Sequence, residues 1–410
     1  MTWASYANSL SEEEQESVVK DAAAQMSNKL SFSEMVDVNG LTSKAYTAVQ
    51  QVVSVRRMTI STEIIHQLTE RVVGRVGGLG FLLPIFKRSD VSEVALNPDG
   101  SVWLLKKGAA SFTKERDNLV PQDVDRAVEA LLRPVGRAVN EASPSVDAKL
   151  PRTDALPGLK GGARVKILHN IIAPGNGFPS INIRLFEPNP VSPERLISWN
   201  VAPEPVIRKL LALVAKETRV MVIGGTATGK TTLLSAICNG IPKERRVVKI
   251  EDPEEIWIDH PHVVTIEARP VSSGASVMPY AVKDGVDDAM RMSPRYLIVG
   301  EVRRGDAALA LFRAMMSDHP GLTTFHAYSP EAAVERLSVI MLTDAGVPED
   351  GAKKMFIHAI DLVVQVGWLD GRRQILAISQ VEKRLAGGEV RFRPLYQPGD
   401  ADMVDPVRQE

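Results

Sequence analysis

Residues Gly224 to Thr232 read Gly-Gly-Thr-Ala-Thr-Gly-Lys-Thr-Thr. Gly224 through Thr231 match the G-x-x-x-x-G-K-[ST] pattern of a phosphate-binding loop, the Walker A element. Gly224 and Gly229 stand where a side chain would block the phosphates or where φ must be positive. Lys230 would reach the β- and γ-phosphates, and Thr231 would offer its hydroxyl to Mg²⁺. Gly225, Thr226, Ala227, Thr228 and Thr232 complete the turn. Hydrolysing a nucleoside triphosphate at such a loop needs metal ligation, a carboxylate that orients water, and positive charge on the γ-phosphate. Each has a candidate. Glu301 ends the apolar run Arg295-Tyr296-Leu297-Ile298-Val299-Gly300 and could hold the metal's water shell. Gly300 stands before it where many P-loop ATPases have Asp. Glu251, Asp252, Glu254 and Glu255 cluster after a second apolar run, and spacing leaves open which would polarise water. His326, after Thr323-Thr324-Phe325, could donate to a phosphate oxygen or sense its loss. Arg164 and Arg184, further upstream, are candidates for the charge on the γ-phosphate.

These residues need elements to hold them. Arg219 to Ile223 reads as a buried strand entering the loop, and Thr232 to Asn239 as the helix leaving it, ended by Gly240 and Pro242. A strand, a tight turn and a helix start aim N–H groups at one point, a ready anion site. From about residue 201 helices and strands alternate, with strands at 219–223, 247–251, 263–267, 296–300 and 321–326, so a doubly wound parallel sheet is expected. Its C-terminal edge is where ligands bind. Residues 361–381 read as short strands around the turn Asp370-Gly371.

Upstream the texture is α+β. Strands are expected at 91–96, 101–105, 163–168 and 180–186, and a helix at 123–137. Met58 to Val76 spaces Ile60, Ile64, Leu68, Val72 and Val76 as one helical face, ended by Gly77-Gly78. Ser11-Glu12-Glu13-Glu14 reads as a helix start. Pro188 to Pro193 holds three prolines and is expected as a stiff connector. The expected organisation is a helical N-terminal extension (1–76), an α+β domain (77–188), a linker (189–203), an α/β P-loop domain (204–395) and a tail (396–410).

Composition excludes some classes. With a net charge of −1 over 410 residues nothing global argues for nucleic acid as the main ligand, and no direct nucleic-acid contact is expected. One cysteine, Cys238, rules out an intrachain disulfide and a cysteine zinc site. Its place on an apolar helix run predicts a buried, inert thiol. The run Phe81 to Phe86 is broken by Pro84 and falls well short of the ~20 residues a membrane helix needs. No signal peptide is apparent. A cytoplasmic protein touching membrane only through partners is expected.

The order of these boxes resembles that of the type II/IV secretion ATPase superfamily. The resemblance rests on the Gly224–Thr231 loop, Ile250-Glu251-Asp252-Pro253-Glu254-Glu255, Val299-Gly300-Glu301-Val302-Arg303 and Thr324-Phe325-His326-Ala327. Val91 to Asn97 and Pro144 to Pro151 look most like the CpaF-like, tight-adherence pilus and conjugation-type branch. The resemblance implies ATP and Mg²⁺ as cofactors, with Glu255 as the water-activating acid, Glu301 as the Walker B acid and metal partner with Thr231, and His326 as the His-box residue. Arg164 and Arg184 would be the arginines of the N-terminal domain that reach the nucleotide, and Arg291 and Arg303 would support the site. It implies a PAS-like N-terminal domain and a RecA-like P-loop ATPase domain, nucleotide sites between the two domains, and a homohexamer. That ring would work with inner-membrane platform or secretion-channel proteins at the cytoplasmic face of the inner membrane. The RecA-like core is shared with nucleic-acid motors such as helicases, which is the alternative. Arg295 departs from the Asp common before the Walker B strand, which is expected to alter a salt bridge rather than chemistry. Nor is there the four-cysteine module of many type II secretion ATPases.

Overall fold

A computed structural model of the chain describes residues 10–27, 30, 34–35, 37–77, 79–109, 111–117, 119–133, 136–187, 189–269 and 278–407. Gly78 and Pro188, expected to end a helix and to open the connector, lie outside the described residues. The chain divides into two compact units, Met1–Pro188 and Asn189–Glu410.

The first unit begins with three helices, α1 (Glu12–Ser27), α2 (Val38–Val55) and α3 (Thr62–Val76). Ser11 and Glu14 bond each other's backbone N–H reciprocally, a capping box that starts α1. Val18 and Ala22 of α1, Ala45 and Val49 of α2, and Leu68 and Val72 of α3 share one apolar cluster. The helix expected from Met58 starts only at Thr62. Ser61 is extended there and its hydroxyl accepts from Ile64 N at 3.3 Å, so the cap sets the boundary.

After α4 (Leu82–Phe86) come β1 (Val91–Leu96), β2 (Val102–Lys106), β3 (Thr113–Arg116), α5 (Pro121–Leu132), β4 (Ser145–Leu150), β5 (Ala163–Leu168) and β6 (Ser180–Leu185). The six strands form one antiparallel sheet in the order β3-β2-β1-β6-β5-β4. α5 starts earlier than expected because Pro121 fits the first helical turn. It ends at Leu132, with Arg133 as the C-cap, still right-handed helical and donating its N–H to Glu129 O. β3 and β4 were not anticipated: Thr-Lys-Glu-Arg holds no apolar residue, whereas Ser-Val-Asp-Ala-Lys-Leu does alternate polar and apolar and carried a signal that was not used.

The second unit holds α6 (Pro193–Ser198), α7 (Glu204–Ala215), β7 (Val220–Ile223), α8 (Lys230–Ile237), β8 (Val247–Glu251), β9 (Val263–Glu267), α9 (Val282–Ala289), β10 (Tyr296–Val299), α10 (Gly305–Met316), β11 (Gly321–Phe325), α11 (Pro330–Ala345), α12 (Glu349–Ala359), β12 (Leu362–Leu369), β13 (Arg372–Val381) and β14 (Phe392–Tyr396). The eight strands run in the order β14-β13-β12-β7-β11-β10-β8-β9. β12 through β9 are parallel, and β13 and β14 add an antiparallel edge.

Alternation along each buried strand sorts side chains between two cores. Val220, Val222, Val247 and Ile298 pack with α6, α7 and α8, whereas Met221, Ile223, Val248 and Leu297 pack with α9 to α12. Each such side chain contributes about 1.5–3 kcal/mol by leaving water. Residues 189–203, expected as a linker, carry α6 and bury Val191, Leu196 and Ala202 in the first of these cores. The expected tail is tied down as well, with Met403 buried and Lys209 Nζ 2.9 Å from Asp402. The strands expected as short in 361–381 are a long hairpin whose turn places Asp370 and Gly371 at positive φ. Gly305 opens α10 against α11 so closely that a β-carbon there would lie 2.0 Å from Ile340 O.

Candidate functional site

The phosphate loop hangs from the C-terminal end of β7, a strand with all four residues buried and parallel neighbours on both sides. Gly229 takes φ 94° at the start of α8, which a side chain would resist. Gly224 cannot carry a β-carbon, which would meet Val366 O at 2.4 Å. Ala227 also adopts positive φ, at 57°, a strained position that the sequence pattern does not single out. Lys230 is buried and donates to Gly225 O at 2.7 Å, folding its ammonium back over the loop.

His326 follows β11, next to β7 in the sheet, and Glu301 follows β10, next to β11. His326 Nδ1 lies 3.2 Å from Lys230 Nζ, and its Nε2 lies 2.7 Å from Glu301 Oε1. An ammonium can only donate, so Nδ1 accepts and the proton of the neutral ring sits on Nε2, facing the carboxylate. Burial is the largest cause holding the His326 pKa below its ordinary value, and the Lys230 charge adds to it, while Glu301 opposes both. The start of α8 and the ends of β11 and β10 are thus joined in one directed chain, Lys230 to His326 to Glu301. The second Glu301 oxygen accepts from Arg303 Nε. Thr324 Oγ1 donates to Gly300 O at 2.7 Å and pins the end of β10 to β11, a role the sequence pattern did not signal.

Beside this chain lies a cavity of about 480 Å³ lined in part by Thr231, Glu251, Glu255, Glu301 and Arg303. The structure therefore brings Thr231, Glu255 and Glu301 to one opening, with Lys230 and His326 adjoining. Arg291 is exposed and is not among the lining residues. Of the four clustered acids, Glu251 is buried, and its Oε1 accepts from the backbone N–H of Glu255 and Ile256. Burial pushes its carboxyl up, opposed by Lys249 and those N–H groups. A β-carbon on Gly300 would lie 2.9 Å from Glu251 Cγ, so Glu251 occupies the space an Asp at 300 would need. Sequence reading missed Lys249, the buried partner of Glu251 at 2.8 Å. A lysine inside an otherwise apolar strand was the available signal.

Arg164 and Arg184 belong to the first unit, where they are cross-strand partners on β5 and β6. Arg184 is exposed, with Nε 3.9 Å from Glu93 Oε1. Arg295 pairs with Glu217 and holds its carboxyl below the usual range.

A nucleoside triphosphate with Mg²⁺ fits these donors. Gly224 has no room for a side chain, Gly229 takes a positive φ, and the Thr231 hydroxyl and Glu301 carboxylate share one opening. Among the described residues no group of three or more His, Cys, Asp or Glu could hold a metal. Among the described residues no helix is long and apolar enough to cross a membrane.

Fold and site together define a P-loop protein of the mixed α/β class. Residues 91–365 match the family model described as type II/IV secretion system protein, and the chain belongs to that family. An uncharacterised protein of Methanocaldococcus jannaschii is 35% identical over 207 residues, which is 50% of this chain and 35% of that protein. The chain thus spans about a third of that relative. A Mycobacterium tuberculosis protein whose name places it in conjugal transfer is 27% identical over 80% of this chain and 90% of its own length. The crystal structure of the Legionella pneumophila ATPase DotB shares the fold, with a TM-score of 0.52, 20% identity, and coverage of 72% of this chain and 78% of that one.

Proposed function

We propose that this chain is a P-loop ATPase that works as a homohexamer, coupling ATP hydrolysis to assembly of a pilus or secretion apparatus. It would act at the cytoplasmic face of the inner membrane, against inner-membrane platform or secretion-channel proteins. The observation that carries the enzymatic reading is the junction of Lys230, His326 and Glu301 beside a cavity lined by Thr231 and Glu255. Family membership supports the secretion reading.

In this reading the Gly224–Thr232 loop and the α8 N-terminus hold the phosphates, and Lys230 turns from Gly225 O to the β- and γ-oxygens. Thr231 and Glu301 would hold Mg²⁺ and its water shell, and a cation bound there would supply charge neutralisation on the phosphates. Glu255 orients and activates water, and His326 responds to the γ-phosphate. Little covalent work is required, because phosphoryl transfer is driven mainly by positioning and charge. Arg164 and Arg184 are assigned the positive charge on the γ-phosphate, and substitution of each by Ala tests this. The same proposal takes residues 77–188 as a PAS-like domain, 204–395 as a RecA-like ATPase domain and 1–76 as a helical extension. Gain and loss of the γ-phosphate would supply the conformational change that does work.

Phosphate release by the purified chain, with and without Glu301→Gln, tests the core of the proposal. Turnover by the wild type and ATP binding without turnover by the variant are expected. Equal turnover by both removes Glu301 from the mechanism, and absence of turnover by the wild type removes the enzyme. Strong, salt-dependent stimulation by DNA would instead identify a nucleic-acid motor.

A further inference from the structure

Lys249 lies in the middle of β8 with its side chain 3% exposed. Its Nζ is 2.8 Å from Glu251 Oε2 and 2.9 Å from Glu254 Oε1, and it also donates to Ile256 O. Two of the ammonium protons go to Glu254 and Ile256, and the Glu251 carboxylate pairs with it by charge at 2.8 Å. Glu251 continues the grip with its other oxygen, which accepts from Glu255 N at 3.0 Å and Ile256 N at 2.9 Å. Residues 254 to 256 are therefore held by one cation and one carboxylate that both sit on β8. Glu255 is at the centre of this segment, and its side chain lines the cavity with Thr231 and Glu301.

Stability alone does not explain a buried ion pair here. Replacing such a pair by apolar groups of similar size is often neutral or stabilising, whereas removing one partner is costly. What the pair does supply is a fixed course for the chain just beyond a strand end, where no sheet partner dictates it. The same Glu251 side chain stands against Gly300, so it also borders the residue before Glu301.

We propose that Lys249 is a positioning residue for hydrolysis, acting through Glu251 and the backbone of residues 254–256 to place the Glu255 carboxylate. This rests on the reading of Glu255 as the water-activating acid. Displacement of a catalytic group by about 1 Å can cost on the order of 10²-fold in rate. Nucleotide binding, which depends on the loop after β7, is left in place.

The test compares wild type, Lys249→Arg, Lys249→Met, the double variant Lys249→Met with Glu251→Gln, and Glu255→Gln. kcat and KM for ATP, affinity for a fluorescent ATP analogue and thermal melting are measured for each. Lys249→Met is expected to lower kcat about tenfold or more with analogue affinity nearly unchanged, and Lys249→Arg to retain most of kcat. The double variant removes the stranded buried carboxylate while keeping an oxygen for the two N–H groups. It is expected to melt like wild type and still turn over slowly, which separates positioning from folding. Wild-type kcat in a well-folded double variant overturns the inference. So does a Lys249→Met protein whose kcat per nucleotide-binding site equals that of wild type. Absence of turnover in wild type, or normal turnover in Glu255→Gln, instead overturns the underlying reading of the site.

Discussion

His326 Nε2 stands 2.7 Å from Glu301 Oε1, a side-chain contact between residues that follow two neighbouring parallel strands. Neither side chain is placed by its own strand alone. The imidazole must stay neutral to accept from Lys230 on its other nitrogen.

That requirement sets a pH dependence. Burial, then the Lys230 charge, lower the His326 pKa below 6.5. The unfolded chain then binds more protons than the folded one, so this contribution to stability is present above 6.5 and is lost as pH falls through the lower folded value. The side chain is 33% exposed, so solvent screening keeps the effect modest. Melting temperature from neutral pH to about 5 should fall more steeply for wild type than for His326→Gln. Superimposable profiles would show that His326 does not carry the charge-sensitive contact.

Lys230→Ala should weaken ATP binding about tenfold or more, the scale of one charge-assisted contact to phosphate. Titration with a fluorescent nucleotide reads it. Unchanged affinity would mean that Lys230 stays on Gly225 O and His326 when the nucleotide binds.

Arg295 was expected to reorganise a salt bridge, and it pairs with Glu217 through Nε at 2.7 Å. Side-chain exposures of 35% and 24% make this a partly screened pair. Arg295→Ala should therefore cost roughly 1 kcal/mol of stability and leave kcat unchanged. A large loss of kcat with normal melting would tie Arg295 to the chemistry.

Much of the fold was legible because buried parallel strands write themselves as short apolar runs, and those at 219–223, 247–251, 263–267, 296–300 and 321–326 all form. Turn chemistry was equally readable at Asp370-Gly371. β3 was not, because Thr-Lys-Glu-Arg has no apolar residue and only pairing with β2 makes it a strand, whereas β4 alternates by polarity and was legible but unread. The types of the site residues were legible, but their mutual contacts were not. That His326 bridges Lys230 and Glu301 follows from strand order, and strand order is not local in sequence. The same holds for Gly300, whose missing side chain is explained only by Glu251 arriving from the next strand.

Cys238 is fully buried, and burial pushes its thiol up. It should resist a soluble aryl disulfide in the native state and react once the chain is unfolded in guanidinium. Rapid native labelling would mean that the 3₁₀ turn after α8 opens.

Gly305 meets Ile340 backbone to backbone, and this contact governs more than two helices. Gly305 opens the helix that follows Glu301, and Ile340 lies on the helix that follows His326. The spacing between the two arms of the site is therefore gauged by the absence of one methyl group. A substitution scan scored by activity alone would mark position 305 as intolerant and read it as chemistry. It is better understood as a spacer, and suppressor changes for Gly305→Ala should be sought in the small residues around Ile340 rather than near the phosphate loop.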